Sequence, residues 1–148
     1  MGSSPKHLIV PIVVVLSVLM DHTCEGQQHE PPSISDPGTV LIKIQNDVAN
    51  NSATLTVHCR RVDRGYEVDL GAHDVAPYSY YKFSFETMKI PVTAYNCSFQ
   101  WPPKNYHDFN IFFQARDGDE GENKWVVHDW GPCLRNTETG NEDCRNWS

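Results

Sequence analysis

Apolar and polar side chains alternate along most of the chain after residue 38, and this period of two is typical of β-strands with one buried face. In Thr39–Gln45, three aliphatic side chains share one face and Lys43 lies on the other. The alternation returns in Ala53–Cys59, after the turn-forming residues 46–51. Because so short a turn separates them, we expect these two segments to form an antiparallel pair.

The rest of the sequence predicts further short strands, separated by turns rich in Gly, Pro, Asn and charged residues. The clearest is Thr93–Trp101, in which aromatic residues and Cys97 share one face. Pro102 ends this strand, because proline cannot donate a ladder hydrogen bond. Residues 60–65, 71–77 and 117–123 are predicted as turns. The other predicted strands are a weak one around Tyr66–Leu70, then Tyr78–Phe85, His107–Phe113 with Phe109, Ile111 and Phe113 on its inner face, Lys124–Trp130, and a short one that ends at Trp147.

The absence of helical periodicity favours an all-β fold. No segment shows the 3.6-residue repeat of an amphipathic helix. Regular short strands with turn residues between them are typical of sandwiches and barrels. The sequence therefore predicts one domain, residues 39–148, that forms a small antiparallel β-sandwich of about seven to eight strands.

The first 26 residues have the pattern of a secretory signal peptide. A short start that contains Lys6 precedes Leu8–Met20, an apolar run of 13 residues without a charge. A membrane-spanning helix needs about 20 apolar residues, so this run is too short for a permanent anchor. We expect cleavage after Gly26, a flexible lead-in at residues 27–38, and a secreted, extracellular product without a membrane span.

The chain is acidic, with 12 Lys and Arg residues against 19 Asp and Glu residues and a formal net charge of −7. A nucleic-acid-binding protein normally presents a basic face to phosphates, so this balance argues against a nucleic-acid partner. The pattern shows no obvious exposed apolar patch, and we therefore expect a monomer.

Four cysteines remain once Cys24 leaves with the signal peptide: Cys59, Cys97, Cys133 and Cys144. In an oxidising compartment this even number predicts two disulfides, and four cysteines allow three pairings. Cys133 and Cys144 are 11 residues apart, so a hairpin could join them and leave Cys59 with Cys97. No C-x-x-C pair is present, and the sequence predicts no zinc, no other metal and no cofactor.

The residues that could perform catalysis do not form a known motif. No G-x-S-x-G sequence is present, and His58 should face away from Cys59 because neighbours on a strand point to opposite sides. Acidic residues gather at 63–69 and 117–122, in turns, where carboxylates collect without any catalytic role. The second group does not match the calcium-loop pattern. We therefore predict that the protein is not an enzyme.

An apoplastic carbohydrate-binding protein or a cell-wall enzyme is the alternative. A glycosidase needs a pair of carboxylates, and Glu67, Asp69 and Asp119 would have to converge in one cleft. A sugar binder would instead present exposed aromatic rings. The candidate rings are Tyr78, Tyr80 and Tyr106.

Three N-glycosylation sequons begin at Asn50, Asn96 and Asn146. Asn50 lies in a predicted turn, where a glycan has room, and it is the predicted glycan site. Use of Asn96, within a strand, and of Asn146, near residue 148, stays open.

Several short motifs follow one another in a definite order through the domain. They are His58-Cys59, Asp69-Leu70-Gly71, Tyr81–Phe85, Cys97–Trp101, Trp125, Gly131-Pro132-Cys133, and Cys144 followed by Trp147. No single motif is specific, but their order and spacing together resemble the plant self-incompatibility protein family, also called the S-protein homologues. One departure is Lys124, because many members have a cysteine just before this tryptophan.

The resemblance implies a small secreted β-sandwich without enzymatic activity. The best-understood members of that family are stigma-borne ligands that trigger rejection of self pollen through a pollen-surface receptor. We therefore expect this chain to be a secreted signalling ligand for a cell-surface receptor.

Loops on a rigid sheet are the usual carriers of binding specificity. We expect receptor contacts in Arg60–Glu67, Pro102–Asp108 and Arg116–Asn123, of which the first is basic and the third acidic. Opposed charges on separate loops help to steer a partner. The candidate contact residues are Arg60, Arg61, Arg64, Tyr106, Asp117, Asp119 and Glu120.

Overall fold

The computed structural model describes residues 38–65, 67–90 and 92–147, and nine β-strands lie within this part of the chain. The predicted signal peptide, its cleavage site and nearly all of the lead-in fall outside the described residues. A 3₁₀ turn at Ala49–Asn51 and one helical turn at Gln114–Asp117 (α1) complete the elements. The strands are β1 Thr39–Asp47, β2 Leu55–Arg61, β3 Val68–Val75, β4 Tyr80–Glu86, β5 Ala94–Trp101, β6 Asn105–Phe113, β7 Gly121–His128, β8 Gly131–Arg135 and β9 Glu142–Cys144.

The strands form two sheets that enclose one hydrophobic core, so the predicted all-β sandwich is confirmed. One sheet has the order β4-β1-β7-β8-β9 and the other has the order β3-β2-β5-β6. Alternate residues of both sheets fill the core, among them Ile42 and Trp125 from the first and Val57, Phe99 and Phe112 from the second. Full burial of an aliphatic or phenylalanine side chain stabilises the fold by about 1.5–3 kcal/mol.

The predicted pairing of the first two strands is wrong. β1 pairs antiparallel with β4 and parallel with β7, whereas β2 lies in the other sheet between β3 and β5. The chain crosses between the sheets in residues 48–54, and Asn46, near the end of β1, is fully buried. Its side-chain Nδ2 donates to the backbone carbonyls of Ala53 (2.8 Å) and Val75 (2.9 Å), and its side-chain Oδ1 accepts from the backbone amide of Val48 (3.0 Å). The parallel β1–β7 pair also means that the sandwich is not wholly antiparallel.

Residues 71–75 belong to β3 and not to the predicted turn. β3 is an edge strand, and most of its side chains are exposed, so its sequence lacks the alternation that marks a half-buried strand. The register of the β2–β3 pair shifts between His58 and Arg60. Gly71 lies opposite this irregularity with φ of +77°, a backbone angle that glycine adopts without steric cost.

A bulge in β6 changes which residues of that strand face the core. The register of the β5–β6 pair shifts between Tyr95 and Asn96, so that Tyr95 pairs with Phe112 and Asn96 with Asn110. Ile111 is left between these two pairs, and both Ile111 and Phe112 are fully buried. Phe113, which strict alternation predicts to face inward, is 42% exposed.

Two disulfides join paired strands. Cys59 of β2 is bonded to Cys97 of β5, and Cys133 of β8 is bonded to Cys144 of β9. Of the three possible pairings, the one that closes the last hairpin is therefore confirmed. Within the described ranges, no helix has the length and apolar character needed to cross a membrane.

Candidate functional site

Three residues of the sequence motifs meet on the outer face of the four-stranded sheet. The Nε2 atom of His58 lies 2.5 Å from Oδ1 of Asp69, and the Gly71 amide donates to the same oxygen at 2.7 Å. The bond from Gly71 and the contact with His58 hold the pKa of Asp69 below its ordinary value. Cys59 points the other way into the core and is bonded to Cys97, so no thiol lies beside this histidine. The group fixes the β2–β3 pair, and nothing in it resembles a nucleophile with its base.

The C-terminal motif closes one end of the sandwich. A Cβ at Gly131 would lie 1.8 Å from the Arg145 carbonyl oxygen, so only glycine allows the tail to approach β8 this closely. Beyond it, Trp147 donates from Nε1 to the Asp129 carbonyl (3.0 Å) and stacks on His107 with ring centroids 4.5 Å apart. The last motif residues therefore pack the structure, and they do not form a site.

The carboxylates that an enzyme would need have separate partners. Asp69 is held by His58 and Gly71, as above, while Asp119 accepts a hydrogen bond from the Gln114 side chain at 2.8 Å. Glu67 borders a shallow cavity together with Arg61, Val62, Asp63 and Gly65, and neither Asp69 nor Asp119 lines it. The convergence of Glu67, Asp69 and Asp119 that the enzyme hypothesis required is not found.

Asp63 forms a buried ion pair with Arg61. The guanidinium donates two hydrogen bonds to the carboxylate, at 2.6 and 2.8 Å, and the two side chains are 10% and 2% exposed for Arg61 and Asp63. Burial alone would raise the pKa of Asp63, but the bonds from Arg61 and from the Ala94 amide outweigh it, so that this pKa lies below its ordinary value. Arg61 also reaches Met88 Sδ and Thr93 Oγ1, and the pair therefore ties the end of β2 to the segment before β5.

One group in the described part of the chain has the composition of a metal site, namely His128, Cys133 and Glu142. Cys133 is in a disulfide and has no thiolate to offer a metal. His128 instead lies between two carboxylates, with Nδ1 2.6 Å from Asp47 and Nε2 3.3 Å from Glu142. This cluster cross-links β1, β7 and β9.

Three loop segments come together at one end of the sandwich, and we call residues 62–65, 87–90 and 114–120 the loop cluster. The Thr93 amide donates to the Gln114 side chain, and the Gln114 amide donates to the Thr93 carbonyl. The Thr87 hydroxyl donates to the Asp119 carbonyl at 2.9 Å, and the Val62 amide donates to the Ala94 carbonyl at 3.0 Å. Two of the three predicted binding loops therefore lie at the same end of the sandwich, where each is bonded to residues at the start of β5.

The remaining predicted loop lies at the opposite end. Residues 102–104 join β5 to β6 after Trp101, whereas the loop cluster adjoins the start of β5 at Ala94. Seven residue steps along β5 separate these ends by about 23 Å. Tyr106, which is exposed on β6 next to residues 102–104, is therefore separated along the sandwich from the basic and acidic loops.

The predicted contact residues differ in their accessibility. Arg60 is exposed but lies on the outer face of β2, in register with Asp69. Arg61 and Asp117 are not free to bind a partner, since Arg61 is paired with Asp63, and Asp117 is only 5% exposed beneath Arg116. The remaining contact candidates of the loop cluster are exposed: Arg64, Asp119 and Glu120.

The sequence prediction missed Ile90, which is 87% exposed in the middle segment of the loop cluster. Val62, whose backbone amide donates to the Ala94 carbonyl, and Val92, two residues before β5, are exposed as well. These exposed aliphatic side chains are candidate apolar contacts for a partner. The run of Met, Ile and Val around a proline in residues 88–92 was the available signal, because it interrupts an otherwise polar turn.

Asn50 is exposed in the 3₁₀ turn after β1, and Asn96 and Asn146 are exposed too. The side-chain Oδ1 of Asn96 accepts a hydrogen bond from Nδ2 of Asn110 at 2.8 Å, across the β5–β6 pair. Glycosylation of Asn50 stays a prediction.

Comparisons with known proteins agree with the fold and the motifs. Residues 41–147 match the family model described as plant self-incompatibility protein S1. S-protein homolog 2 of Arabidopsis thaliana is 29% identical over 161 aligned positions, which cover 97% of this chain and 96% of that protein. S-protein homolog 4 of the same plant is 32% identical over 99 positions, covering 63% of this chain and 61% of that protein. The chain belongs to the plant self-incompatibility protein S1 family.

Proposed function

We propose that the protein is a secreted, non-enzymatic signalling ligand that a cell-surface receptor recognises. The observation that carries this proposal is membership of the self-incompatibility protein S1 family along nearly the whole domain. Two disulfides support the extracellular location, because such bonds form and persist in oxidising compartments.

The loop cluster is the proposed receptor contact. It combines Ile90 and Val62 with the cation of Arg64 and the carboxylates of Asp119 and Glu120. Apolar anchors surrounded by charged groups are the usual composition of a specific interface, with the charges setting orientation and association rate. The Arg61–Asp63 pair lies directly beneath this surface and holds its segments in place.

The enzyme alternative has little support among the described residues. A hydrolase needs a nucleophile with a base, or two carboxylates across one cleft. The candidate carboxylates have separate hydrogen-bond partners, and all four described cysteines are in disulfides. The carbohydrate-binding alternative concerns a different surface, the outer face of the five-stranded sheet.

The double substitution Arg64→Glu with Ile90→Asp is expected to weaken saturable binding to responsive plant cells at least tenfold. It reverses one charge of the loop cluster and places a carboxylate at its most exposed apolar position. The measurement is binding of the labelled, secreted full chain to intact cells, with and without prior surface proteolysis.

The matched control changes the opposite end of the sandwich, with Lys104→Glu and Tyr106→Asp, both at exposed positions. We expect this variant to bind within twofold of the unmodified protein. Loss of binding in the control alone would place the contact at the other end. Binding that does not saturate, or that survives proteolysis of the cells, would contradict the receptor proposal itself.

A further inference from the structure

Four basic side chains form a straight row across the outer face of the five-stranded sheet. The register pairs Lys82 of β4 with Lys43 of β1, Lys43 with Lys124 of β7, and Lys124 with Arg135 of β8. Their strand neighbours Phe83, Ile42, Trp125 and Leu134 pack in the core or against it, so the four cations lie on the outer face. We call these residues the cation row.

The cation row by itself lowers the stability of the folded protein. Like charges directly opposite one another on paired strands destabilise a sheet. Only part of the charge is neutralised, since Lys43 contacts Glu122 at 3.0 Å and Arg135 contacts Glu142 at 2.5 Å. Within the described part of the chain, Lys82 and Lys124 have no carboxylate within 4 Å. In an acidic chain with a net charge of −7, the row is a local positive strip that an anionic ligand can contact.

The spacing of the row defines the shape of that partner. Neighbouring strands are about 4.8 Å apart, so the four cations span about 14 Å in a line perpendicular to the strands. An extended peptide presents side chains on one face only every second residue, about 6.6 Å apart, and matches this spacing poorly. Glu122 and Glu142 lie beside the row and confine its positive charge to a narrow strip, so a flat anionic surface such as a membrane would meet these carboxylates as well as the cations. A narrow, linear polyanion fits better than either.

The residues beside the row favour a sugar polymer. Tyr80 is 54% exposed and lies next to the row, with the Lys43 ammonium 5.9 Å from the centre of its ring. Gln45 is paired with Tyr80 on the same face. An exposed aromatic ring can stack on the apolar face of a pyranose, an amide can bond its hydroxyls, and Lys and Arg bind carboxylates.

We propose that the cation row, with Tyr80 and Gln45, binds a linear chain of uronic acids. Each ring of such a polymer has one carboxylate and one stacking face, which are the two groups that this surface can recognise. This face of the protein is separate from the loop cluster, so the protein can bind a polysaccharide and a receptor independently.

The direct test is binding of the purified secreted full chain to sodium polygalacturonate. We expect saturable binding that weakens as salt is raised, because exposed charges are screened. Lys82→Glu with Lys124→Glu should weaken it at least tenfold, and Lys82→Gln with Lys124→Gln should weaken it in the same direction by less. Both variants should remain folded, since each removes like charges that oppose one another.

The control variant Lys89→Glu with Lys104→Glu makes the same change in net charge at exposed positions away from the row, and it should bind within twofold of the unmodified protein. Fully methyl-esterified polygalacturonate, which lacks the charges, should not compete. An equal loss of polygalacturonate binding in the control variant would overturn the proposal. Tighter binding of poly-glutamate than of polygalacturonate would also overturn it, because that result would assign the cation row to an acidic polypeptide. Cell-surface binding by the Lys82→Glu, Lys124→Glu variant should persist, so that this proposal and the receptor proposal fail separately.

Discussion

Replacing Cys59 and Cys97 together by alanine is expected to lower the free energy of unfolding by about 4 kcal/mol. The bond closes a loop with a sequence separation of 38 residues, and its loss returns that loop's conformational entropy to the unfolded chain. Both cysteines also lie in the core between the two sheets, so the substitution removes buried sulfur as well. Denaturant unfolding of the secreted protein, followed by tryptophan fluorescence, measures the change.

The second disulfide provides the matched comparison. Cys133 and Cys144 are separated by 11 residues, and the same relation gives about 3 kcal/mol for their replacement. We therefore expect the Cys59, Cys97 variant to be the less stable of the two. The reverse order would contradict the loop-length argument and show that the Cys133–Cys144 bond contributes more to stability than the Cys59–Cys97 bond.

The substitution Asp63→Asn is expected to cost about 3 kcal/mol, because it removes the carboxylate that forms a buried ion pair with the Arg61 guanidinium and accepts two hydrogen bonds from it. Glu86→Gln, at an exposed position, should change stability by less than about 0.5 kcal/mol. Replacing both partners, with Arg61→Met and Asp63→Asn, should restore part of the loss. If Asp63→Asn were as mild as Glu86→Gln, the pair would not be what holds the loop cluster.

The pH dependence of the same variant follows from the lowered pKa of Asp63. Its ordinary value is 3.8, and the folded-state pKa lies below this. The stabilisation by the ionised carboxylate is therefore complete above about pH 4 and is lost as the pH falls through the folded-state value. The difference in unfolding free energy between the unmodified protein and Asp63→Asn should shrink below pH 4 and stay constant between pH 5 and 7.

The local sequence predicted which residues face the core better than it predicted which strands are neighbours. Alternation identified the inner faces of β1, β2, β4 and β5, because each is half-buried and the pattern is visible within one strand. It did not show that β1 and β2 belong to different sheets. That crossing depends on the buried Asn46, whose contacts with Ala53 and Val75 are specified only by the folded chain.

Edges and bulges account for the other errors. β3 has too few buried side chains to produce an alternating pattern, and the bulge at Ile111 changes the phase of β6 without any Gly or Pro to mark it. The cation row could not be predicted from the sequence for a related reason. Lys43, Lys82, Lys124 and Arg135 are scattered over four strands, and only the register brings them into line.

The candidate contact surface was predicted in part. The basic and acidic loops were chosen from charge and turn composition, and the structure places both at the end of the sandwich where β5 begins. Arg61 and Asp117 were included because charge in a turn usually means exposure. Both side chains are nearly inaccessible to solvent, and each forms an ion pair, Arg61 with Asp63 and Asp117 with Arg116. The sequence alone does not distinguish such a paired charge from a solvated one.

The central claim is that this chain is a disulfide-bonded extracellular ligand, and non-reducing peptide mass mapping of the protein secreted by a plant cell host tests it most directly. The measurement reports the N-terminus, both bridges and any glycan on Asn50 in one experiment. We predict a product that begins near Gln27 and contains the Cys59–Cys97 and Cys133–Cys144 bonds. A retained N-terminal segment together with free thiols at these four cysteines would contradict the account.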